Sequence, residues 1–477
     1  MKDLTTGNVA TRILTFGWPF LFANLFQQLY NFVDGWVVGK FIGTEALAAV
    51  GASFPVIFIL ISLLIGISTG ITIVVSQFFG AKQFDNVIKA INTFFVFIFI
   101  SSLVMSALGI YFARDIFVAL KLEPAVIDLA VDYLVIYLGG MIFMFGFYGT
   151  NAILRGMGDS KTPLYFTIFS TITNVVLDLV FVLYFDMGVK GVAYASVIAQ
   201  ALAFIIITFV MNRNNNLIHF SFKNLKFDWD IFKKSIRIGL PTGMQQSFVA
   251  FGMVAIMGIV ADFGTETVAA FSVAGRLDAL ASTPAMALAA ALAAFVGQNI
   301  GANKMNRVRQ GFMVSLVISS AMSLIVTAIV VLFGRPVMGF FTNDVQVIEI
   351  GYHYLLIVSS FYIVFSSMFI THGVLRGAGD TFIPMIITLF ALWVLRIPFS
   401  WFLSREEIMF GLNFNLFGLQ MDFFHFHFNG FGVDGVWWGI PLAWAFGFSA
   451  SFIYYRTGRW KTKSIIRHEE PAPEEIV

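Results

Sequence analysis

The chain has 477 residues, of which 58% are apolar and only 12% are charged. Soluble globular proteins carry about 25% charged residues, and a soluble fold of this size could not cover so much apolar surface. The net charge of +2 excludes a strongly basic nucleic-acid binder, and the absence of cysteine excludes disulfides and thiolate metal centres. The composition therefore predicts a polytopic membrane protein.

Twelve stretches of the chain are long and apolar enough to cross a membrane as helices, which takes about 20 residues each. They are continuous apolar runs and not the alternating segments of a membrane β-barrel, so the predicted fold class is all-α. The first span is too long and too polar for a signal peptide, and we do not expect it to be removed. The predicted spans lie at 14–38, 47–77, 90–113, 129–154, 163–185, 190–211, 238–261, 267–297, 311–334, 347–375, 382–403 and 433–456.

The basic residues are divided unevenly between the two sides of this twelve-span arrangement. With both termini placed inside, 21 of the 29 lysines and arginines fall in cytoplasmic segments and six fall in outer segments. Lysine and arginine collect on the cytoplasmic side of membrane proteins. The sequence therefore predicts cytoplasmic termini, with the basic tail near Arg456 to Arg467 at the anionic inner leaflet.

An internal repeat relates the two halves of the chain at an offset of 221 residues. Because the offset spans six helices, the two halves have the same orientation, which is the parallel-repeat plan of some secondary transporters. We expect a six-helix bundle over 1–211, a cytoplasmic linker over 212–236, a second six-helix bundle over 237–456 and a cytoplasmic tail over 457–477. The repeated motifs are Gly43-Thr44-Glu45 and Gly264-Thr265-Glu266, the Gln-x-x-Gly-Ala segments from Gln77 and Gln298, and Leu154-Arg155-Gly156 and Leu375-Arg376-Gly377.

The repeat is interrupted near 404–431, where the second half carries 23 extra residues. This segment contains His425-Phe426-His427, a pair of histidines that could bind a metal in principle. No third ligand is evident, and we interpret the segment as an outer, aromatic-rich interfacial loop.

Two predicted spans of the first half carry polar stripes that include an aspartate. A charge inside a membrane is costly and usually marks a substrate or ion pathway. Two such stripes must face each other or a water-filled cavity, and a carboxylate pair with asparagine neighbours can hold a proton or a sodium ion. The alternative is a polar cluster that holds helices together, for which asparagine and threonine alone would suffice. Helical spacing places on one face of span 1 Asn24, Gln27, Asn31 and Asp34, and on one face of span 5 Thr167, Thr171, Asn174 and Asp178.

Charged residues also occur inside the predicted spans of the second half. Arg276 and Asp278 lie two residues apart on span 8 and so do not share a face. Asp278 could form an ion pair with Arg396 of span 11, and either residue of span 8 could line a cavity. Further candidates for the cavity lining are Gln245 on span 7 and Tyr137 and Met141 on span 4. Methionine and aromatic residues in membrane helices also serve in packing.

No phosphate-binding loop, dinucleotide fingerprint or zinc-protease motif occurs in the sequence. No nucleophile with a neighbouring base is evident either. We therefore expect neither an enzyme nor an ATP-driven pump, and transport energy would come from an ion gradient.

The motifs together resemble the multidrug and toxic compound extrusion (MATE) family. The resemblance rests on Asp34-Gly35 followed by Gly39 and Gly43, on the duplicated motifs above, and on Asn174-x-x-x-Asp178. It implies two six-helix bundles, alternating access, and export of amphipathic, often cationic compounds in exchange for H⁺ or Na⁺. It also implies a monomer in the bacterial inner membrane, with small organic substrates, no nucleic-acid partner and no cofactor other than the coupling ion.

The resemblance assigns roles to particular residues. Members that resemble NorM carry a glutamate in span 7, where this chain has Gln245 and Gln246, so the chain looks closer to the DinF-like branch. The implied ion-coupling residues are Asp34, Asn174, Asp178, Asn151 and Ser196, with Asp34 and Asp178 as the ligands if the ion is sodium. The expected substrate cavity includes Gln27, Asn31, Tyr137, Met141, Gln245, Arg276 and Asp278.

A second function remains open, since flippases for lipid-linked oligosaccharides or peptidoglycan precursors share this fold family. Such a protein needs positive charge in its cavity to hold a pyrophosphate group. Only Arg276 and Arg396 are available for this purpose, whereas the acid pair lies in the other half. The sequence favours the export of cations.

Overall fold

The structure is a computed structural model that describes residues 3–214, 226–405, 407–416 and 419–466, with backbone alone for 214, 407–416 and 419–429. Within these residues the chain is almost entirely helical. The α-helices are α1 (Val9–Val37), α2 (Thr44–Gly80), α3 (Phe84–Ala119), α4 (Pro124–Gly139), α5 (Met141–Gly156), α6 (Lys161–Leu179), α7 (Gly188–Asn214), α8 (Trp229–Ala261), α9 (Thr265–Gly301), α10 (Met305–Gly339), α11 (Val345–Ser359), α12 (Tyr362–Gly377), α13 (Phe382–Leu389), α14 (Ile397–Leu403) and α15 (Val433–Thr457). Three π-helical segments lie at Val38–Ile42, Val180–Tyr184 and Phe390–Arg396, and a 3₁₀ helix lies at Arg459–Lys463.

The described helices account for all twelve predicted membrane spans. Ten helical segments are long and apolar enough to cross a membrane, and two bent helix pairs raise the number to twelve. The pairs are α4 with α5 and α11 with α12, and each bends by 51°. Gly139 and Gly140 occupy the first bend, where glycine permits a sharp change of direction. The predicted all-α polytopic fold is therefore confirmed.

Helix α2 packs along α8, and this contact joins the first half of the chain to the second. The two backbones approach closely because glycines face each other. A Cβ atom at Gly66 would lie 2.5 Å from the carbonyl oxygen of Gly239, closer than real Cβ atoms come to other atoms. One turn away, the hydroxyl groups of Ser62 and Ser247 form a hydrogen bond of 2.6 Å. Only residues without bulky side chains fit at this contact.

Helix α1 also joins the halves, because its first turns pack on the second half. Phe16 and Phe20 share a buried cluster with Leu288 and Ala291 of α9. These contacts involve the beginning of α1 and the later part of α9. The α2–α8 contact likewise involves the later part of α2 and the beginning of α8. The halves therefore meet at the end of the molecule that carries Leu4 and Ile465, close to the first and last described residues, and we call this end the terminal side.

Two buried glutamines form crossed hydrogen bonds between the halves on the terminal side. Gln77 Nε2 donates to the carbonyl oxygen of Gly377 at 3.0 Å. Gln298 Nε2 donates to the carbonyl oxygen of Gly156, also at 3.0 Å. Both donors and both acceptors are related by the repeat of 221 residues. Each half thus donates one hydrogen bond to the other half, and the two bonds are equivalent.

The side-chain oxygens of these glutamines bind the first and last described segments of the chain. The backbone N–H of Leu4 donates to Gln298 Oε1 at 3.0 Å, and that of Ile465 donates to Gln77 Oε1 at 2.8 Å. Lys304 Nζ additionally donates to the carbonyl oxygen of Thr5 at 2.9 Å. Each glutamine therefore ties one chain end to the junction between the halves.

Replacing Gln298 with Ala is expected to loosen the N-terminal segment. The Leu4 N–H and the Gly156 carbonyl would both lose their partner, and an unsatisfied buried group costs about 1–3 kcal/mol. Amide exchange at the N-terminus, followed by mass spectrometry, should accelerate by about tenfold or more. Gln28→Ala, at an exposed position on α1, is the control. Equal exchange in both variants would contradict the bonding role of Gln298.

The segment between α14 and α15 differs from its prediction. We predict a loop at 404–431, but Glu407–Leu416 (β1) and Leu419–Asn429 (β2) pair as an antiparallel hairpin. The alternation in Phe424-His425-Phe426-His427-Phe428 has the period of a strand, which favours a hairpin over an irregular loop. The metal-binding possibility at His425 and His427 concerns side chains outside the described part of the structure.

The helices near the predicted linker extend further than the apolar pattern indicates. Helix α7 continues to Asn214 and α8 begins at Trp229, so both ends of the predicted linker 212–236 are helical. Asp228 caps α8 by accepting hydrogen bonds from the backbone N–H groups of Asp230 and Ile231. The rest of the linker, 215–225, and the tail residues 467–477 lie outside the described residues.

Candidate functional site

An acidic cluster forms where α1, α6 and α7 meet. Helix α6 packs against both other helices, which brings its polar stripe onto the polar face of α1. Asp34 lies against the side chains of Asp178, Asn174 and Ser196. Asn174 and Asp178 are fully buried, and Ser196 is nearly so. The structure thus brings together four of the five predicted ion-coupling residues.

A hydrogen-bond chain orders one side of this cluster. Tyr30 OH donates to Ser196 Oγ at 2.6 Å, and Asn174 Nδ2 donates to the same oxygen at 3.4 Å. Tyr30 is not among the site residues predicted from the sequence. Its position four residues before Asp34, on the same helical face, is the signal that could have identified it.

The other side of the cluster contains oxygen atoms without partners. Asp34 Oδ1, Asn174 Oδ1 and both carboxylate oxygens of Asp178 are buried and accept no hydrogen bond within the described structure. An ionised carboxylate left unpaired in a buried site is strongly unfavourable. A group of carboxylate and amide oxygens fits a proton or a hard cation such as Na⁺. The arrangement is therefore suited to binding one positive charge.

The helices change geometry immediately beyond the two aspartates. Helix α1 continues as the π-helical segment Val38–Ile42 four residues after Asp34, and α6 continues as Val180–Tyr184 two residues after Asp178. Isolated π-helical turns are uncommon and are frequent at functional sites. They place less regular backbone next to the acidic cluster on both helices.

A small polar cavity lies beside the cluster, toward the terminal side. It is lined by residues that include Gln27, Tyr30, Thr171 and Gln200, and it can hold about one water molecule. Tyr148 OH donates to Gln27 Oε1 across it at 3.3 Å. Because Tyr30 belongs to both the cavity and the cluster, polar groups continue from the acids toward the terminal side.

The other predicted residues of the first half do not converge on one open cavity. Asn151 is buried, and its Oδ1 atom has no hydrogen-bond partner in the described structure. Asn31 is exposed. Met141 and Tyr137 are buried in the core of the first half, where Tyr137 stacks on Tyr133 with 6.1 Å between ring centroids.

A second polar group lies in the second half, around Asp278. Tyr362 OH donates to Asp278 Oδ1 at 2.7 Å. The Arg396 guanidinium interacts electrostatically with this carboxylate but forms no ion pair with it within 4.0 Å. Its Nε atom is buried and has no hydrogen-bond partner in the part of the chain that the structure describes. Arg276 is exposed and lies apart from this group, as expected from its spacing.

Gln245, which we predict to line the substrate cavity, forms hydrogen bonds at both ends of its amide. Its Nε2 atom donates to Thr388 Oγ1 at 2.6 Å, and its Oε1 atom accepts a hydrogen bond of 3.0 Å from Arg376 Nη2. Both ends of this nearly buried amide are therefore occupied by neighbouring helices. Gln245 connects α8 to α12 and α13.

Comparison with known proteins places this architecture in a family. The MatE family model matches residues 19–180 and 241–402, one match in each half. The chain is 29% identical over 463 residues to "Probable multidrug resistance protein YpnP" of Bacillus subtilis, covering 97% of this chain and 98% of that protein. It is 28% identical to "Probable multidrug resistance protein YoeA" of the same organism, covering 94% of each.

A solved structure shares the fold. It is described as the outward-facing conformation of a multidrug resistance MATE family transporter of the MOP superfamily. The two superpose with a TM-score of 0.87 at 22% identity, over 97% of this chain and 99% of the other. Members of the family are transporters and not enzymes. With both halves matched by the family model, the chain belongs to the MatE family of multi-span membrane transporters.

Proposed function

We propose that the chain is a secondary active multidrug efflux antiporter that exports amphipathic, cationic organic compounds in exchange for H⁺ or Na⁺. The observation that carries the proposal is the buried acidic cluster with its unpartnered oxygens on Asp34, Asn174 and Asp178. The multidrug resistance proteins to which the chain is similar support an organic substrate.

Coupling follows from the position of the cluster. Binding of one H⁺ or Na⁺ cancels one of the two negative charges of the carboxylate pair and lowers the cost of burying Asp34 against Asp178. Without the ion, α1 is expected to repack relative to α6. Because α1 also packs on α9 of the second half, a shift of α1 changes the space between the halves. By linkage, an ion and a substrate that favour different arrangements must oppose each other's binding.

The proposed orientation places both termini in the cytoplasm, following the distribution of lysine and arginine. The terminal side, where the halves are in contact, is then the cytoplasmic side. The described state would be closed to the cytoplasm, with substrate released from between the halves on the opposite side. The N-terminal bundle over 1–211 would hold the coupling site, and the monomer in the bacterial inner membrane would be the functional unit.

The second half contributes less to ion coupling in this proposal. Gln245 is bound at both ends, and Asp278 already accepts a hydrogen bond from Tyr362. These contacts support the DinF-like arrangement, in which the N-terminal bundle couples. Gln27, Asn31, Arg276 and Asp278 remain proposed cavity residues.

The test is ethidium efflux from proteoliposomes that contain the wild-type protein. A pH gradient or a sodium gradient is imposed separately, and protein-free liposomes are the control. Efflux driven by one gradient, accompanied by counterflow of that ion, is the expected result. Absence of efflux under both gradients, with correctly folded protein, would overturn the proposal and favour a lipid-precursor flippase.

A further inference from the structure

A groove on the terminal side lies outside the acidic cluster and outside the space between the halves. It has a volume of about 520 Å³ and lies between the beginning of α8, the start of α13 and the residues that follow α15. Its walls include Leu240, Met244 and Phe382. We call it the tail groove.

The tail groove has two cationic groups at its rim. Arg237 of α8 and Lys463 of the 3₁₀ helix both line it, and both are exposed. Within the described residues, neither side chain has a carboxylate within 4.0 Å or a hydrogen bond. The acid of the groove, Asp380, is nearly buried and accepts a hydrogen bond of 2.5 Å from Tyr454 OH. The groove therefore presents two positive charges that have no carboxylate partner among the described residues.

The wall of the tail groove continues onto the membrane-facing surface. Leu240, Met244 and Phe382 are 46%, 39% and 56% exposed, and they belong to helices that span the membrane. Exposed apolar groups on membrane-spanning helices are suited to contact with lipid chains. The cations lie at the end of the helices, where lysine and arginine reach the headgroup layer. The groove thus combines a cationic rim with an apolar wall.

We propose that the tail groove binds one anionic phospholipid of the membrane leaflet on the terminal side. Its phosphate group lies between Arg237 and Lys463, and an acyl chain runs along Leu240 and Met244. Basic pockets between membrane helices are suited to anionic headgroups. A soluble anion would use the charges but not the apolar wall, and a zwitterionic lipid would use the wall but carries no net charge.

The lipid would hold the end of the chain in place. Lys463 lies two residues before Ile465, whose backbone N–H donates to Gln77. A lipid bound to Lys463 and to α8 therefore fixes the C-terminal segment against the junction of the halves. The tail groove shares no residue with the acidic cluster.

The experiment measures phosphatidylglycerol binding to the full-length protein in detergent by native mass spectrometry. We expect one tightly bound molecule, which phosphatidylcholine with the same acyl chains and inorganic phosphate do not replace. The double variant Arg237→Gln/Lys463→Gln should bind it about thirtyfold more weakly, as expected for two basic contacts. The control Lys233→Gln/Arg459→Gln removes the same charges from the same two elements, outside the groove.

A second variant tests the apolar wall without changing charge. Met244→Trp fills the groove and should also displace phosphatidylglycerol. Equal weakening in the charge control, replacement by phosphatidylcholine or phosphate, or full binding to Met244→Trp would each overturn the proposal. Each variant is first checked for an unchanged unfolding temperature without added lipid, so that loss of binding is not confused with loss of fold.

Discussion

Asp34→Asn is expected to reduce gradient-driven efflux by about 100-fold or more. A factor of 100 corresponds to about 2.7 kcal/mol, near the upper end of typical coupling free energies between two binding sites. The amide occupies the same volume as the carboxyl group but neither takes up a proton nor carries a charge for Na⁺. Efflux of ethidium from proteoliposomes under the effective gradient is the measurement. Asp178→Asn should behave similarly, because its fully buried carboxylate lies against Asp34.

The matched control is Asp262→Asn, which removes an exposed carboxylate at the end of α8. It should transport at the wild-type rate. Binding and transport must also be separated: Asp34→Asn should still bind ethidium, but the binding should no longer respond to the coupling ion. If Asp34→Asn retains full gradient-driven efflux, coupling lies elsewhere, and Asp278 is the next residue to test.

Gly66→Ala is expected to prevent the halves from closing on the terminal side. The added methyl group would lie 2.5 Å from both the Gly239 carbonyl oxygen and the Gly243 nitrogen, so α2 and α8 must separate. Backbone atoms cannot rotate away as a flexible side chain can. We expect transport to fall by about tenfold or more, equivalent to about 1.4 kcal/mol against the closed state.

The control is Gly51→Ala on the same helix, where an added Cβ meets no atom within 4 Å. Alanine favours the helix over glycine by about 1 kcal/mol, so this variant should be at least as stable as wild type. Because the chain has no cysteine, spin labels at Asp85→Cys and Asn306→Cys can report the spacing of the halves directly. An unchanged distance distribution in Gly66→Ala would contradict the prediction.

The sequence predicts the spans and the acidic cluster for the same physical reason. Apolar runs of membrane length identify the helices. An acidic residue inside such a run is energetically costly, so its presence indicates a functional site. Asp34 and Asp178 could be paired because their helical faces also carry asparagine, which two lipid-buried helices must turn toward each other. Tyr30 was missed because an aromatic residue in a membrane helix has a packing role as often as a polar one.

Other features depend on contacts that spacing alone does not encode. Gln245 is a polar residue inside a membrane helix, as expected for the lining of a cavity. Its amide, however, forms hydrogen bonds with Thr388 and Arg376. Gln77 and Gln298 were visible as a repeated motif, yet their acceptors lie in the opposite half of the chain. The tail groove is assembled from α8, α13 and the residues after α15, which are far apart in sequence.

The crossed bonds of Gln77 and Gln298 have the pattern of an isologous interface, in which residue i of one subunit contacts residue j of the other and the reverse also holds. Two copies of a single six-helix unit, paired about a twofold axis, would make both bonds with one glutamine and one glycine. The present chain shows this pairing between its own two halves. In a symmetric pair, one substitution would remove both glutamines and both bonds. In this chain, a substitution of Gln77 or of Gln298 leaves the other glutamine and its bond in place. The fused chain is thus free to let its N-terminal and C-terminal ends evolve separate roles at the same junction.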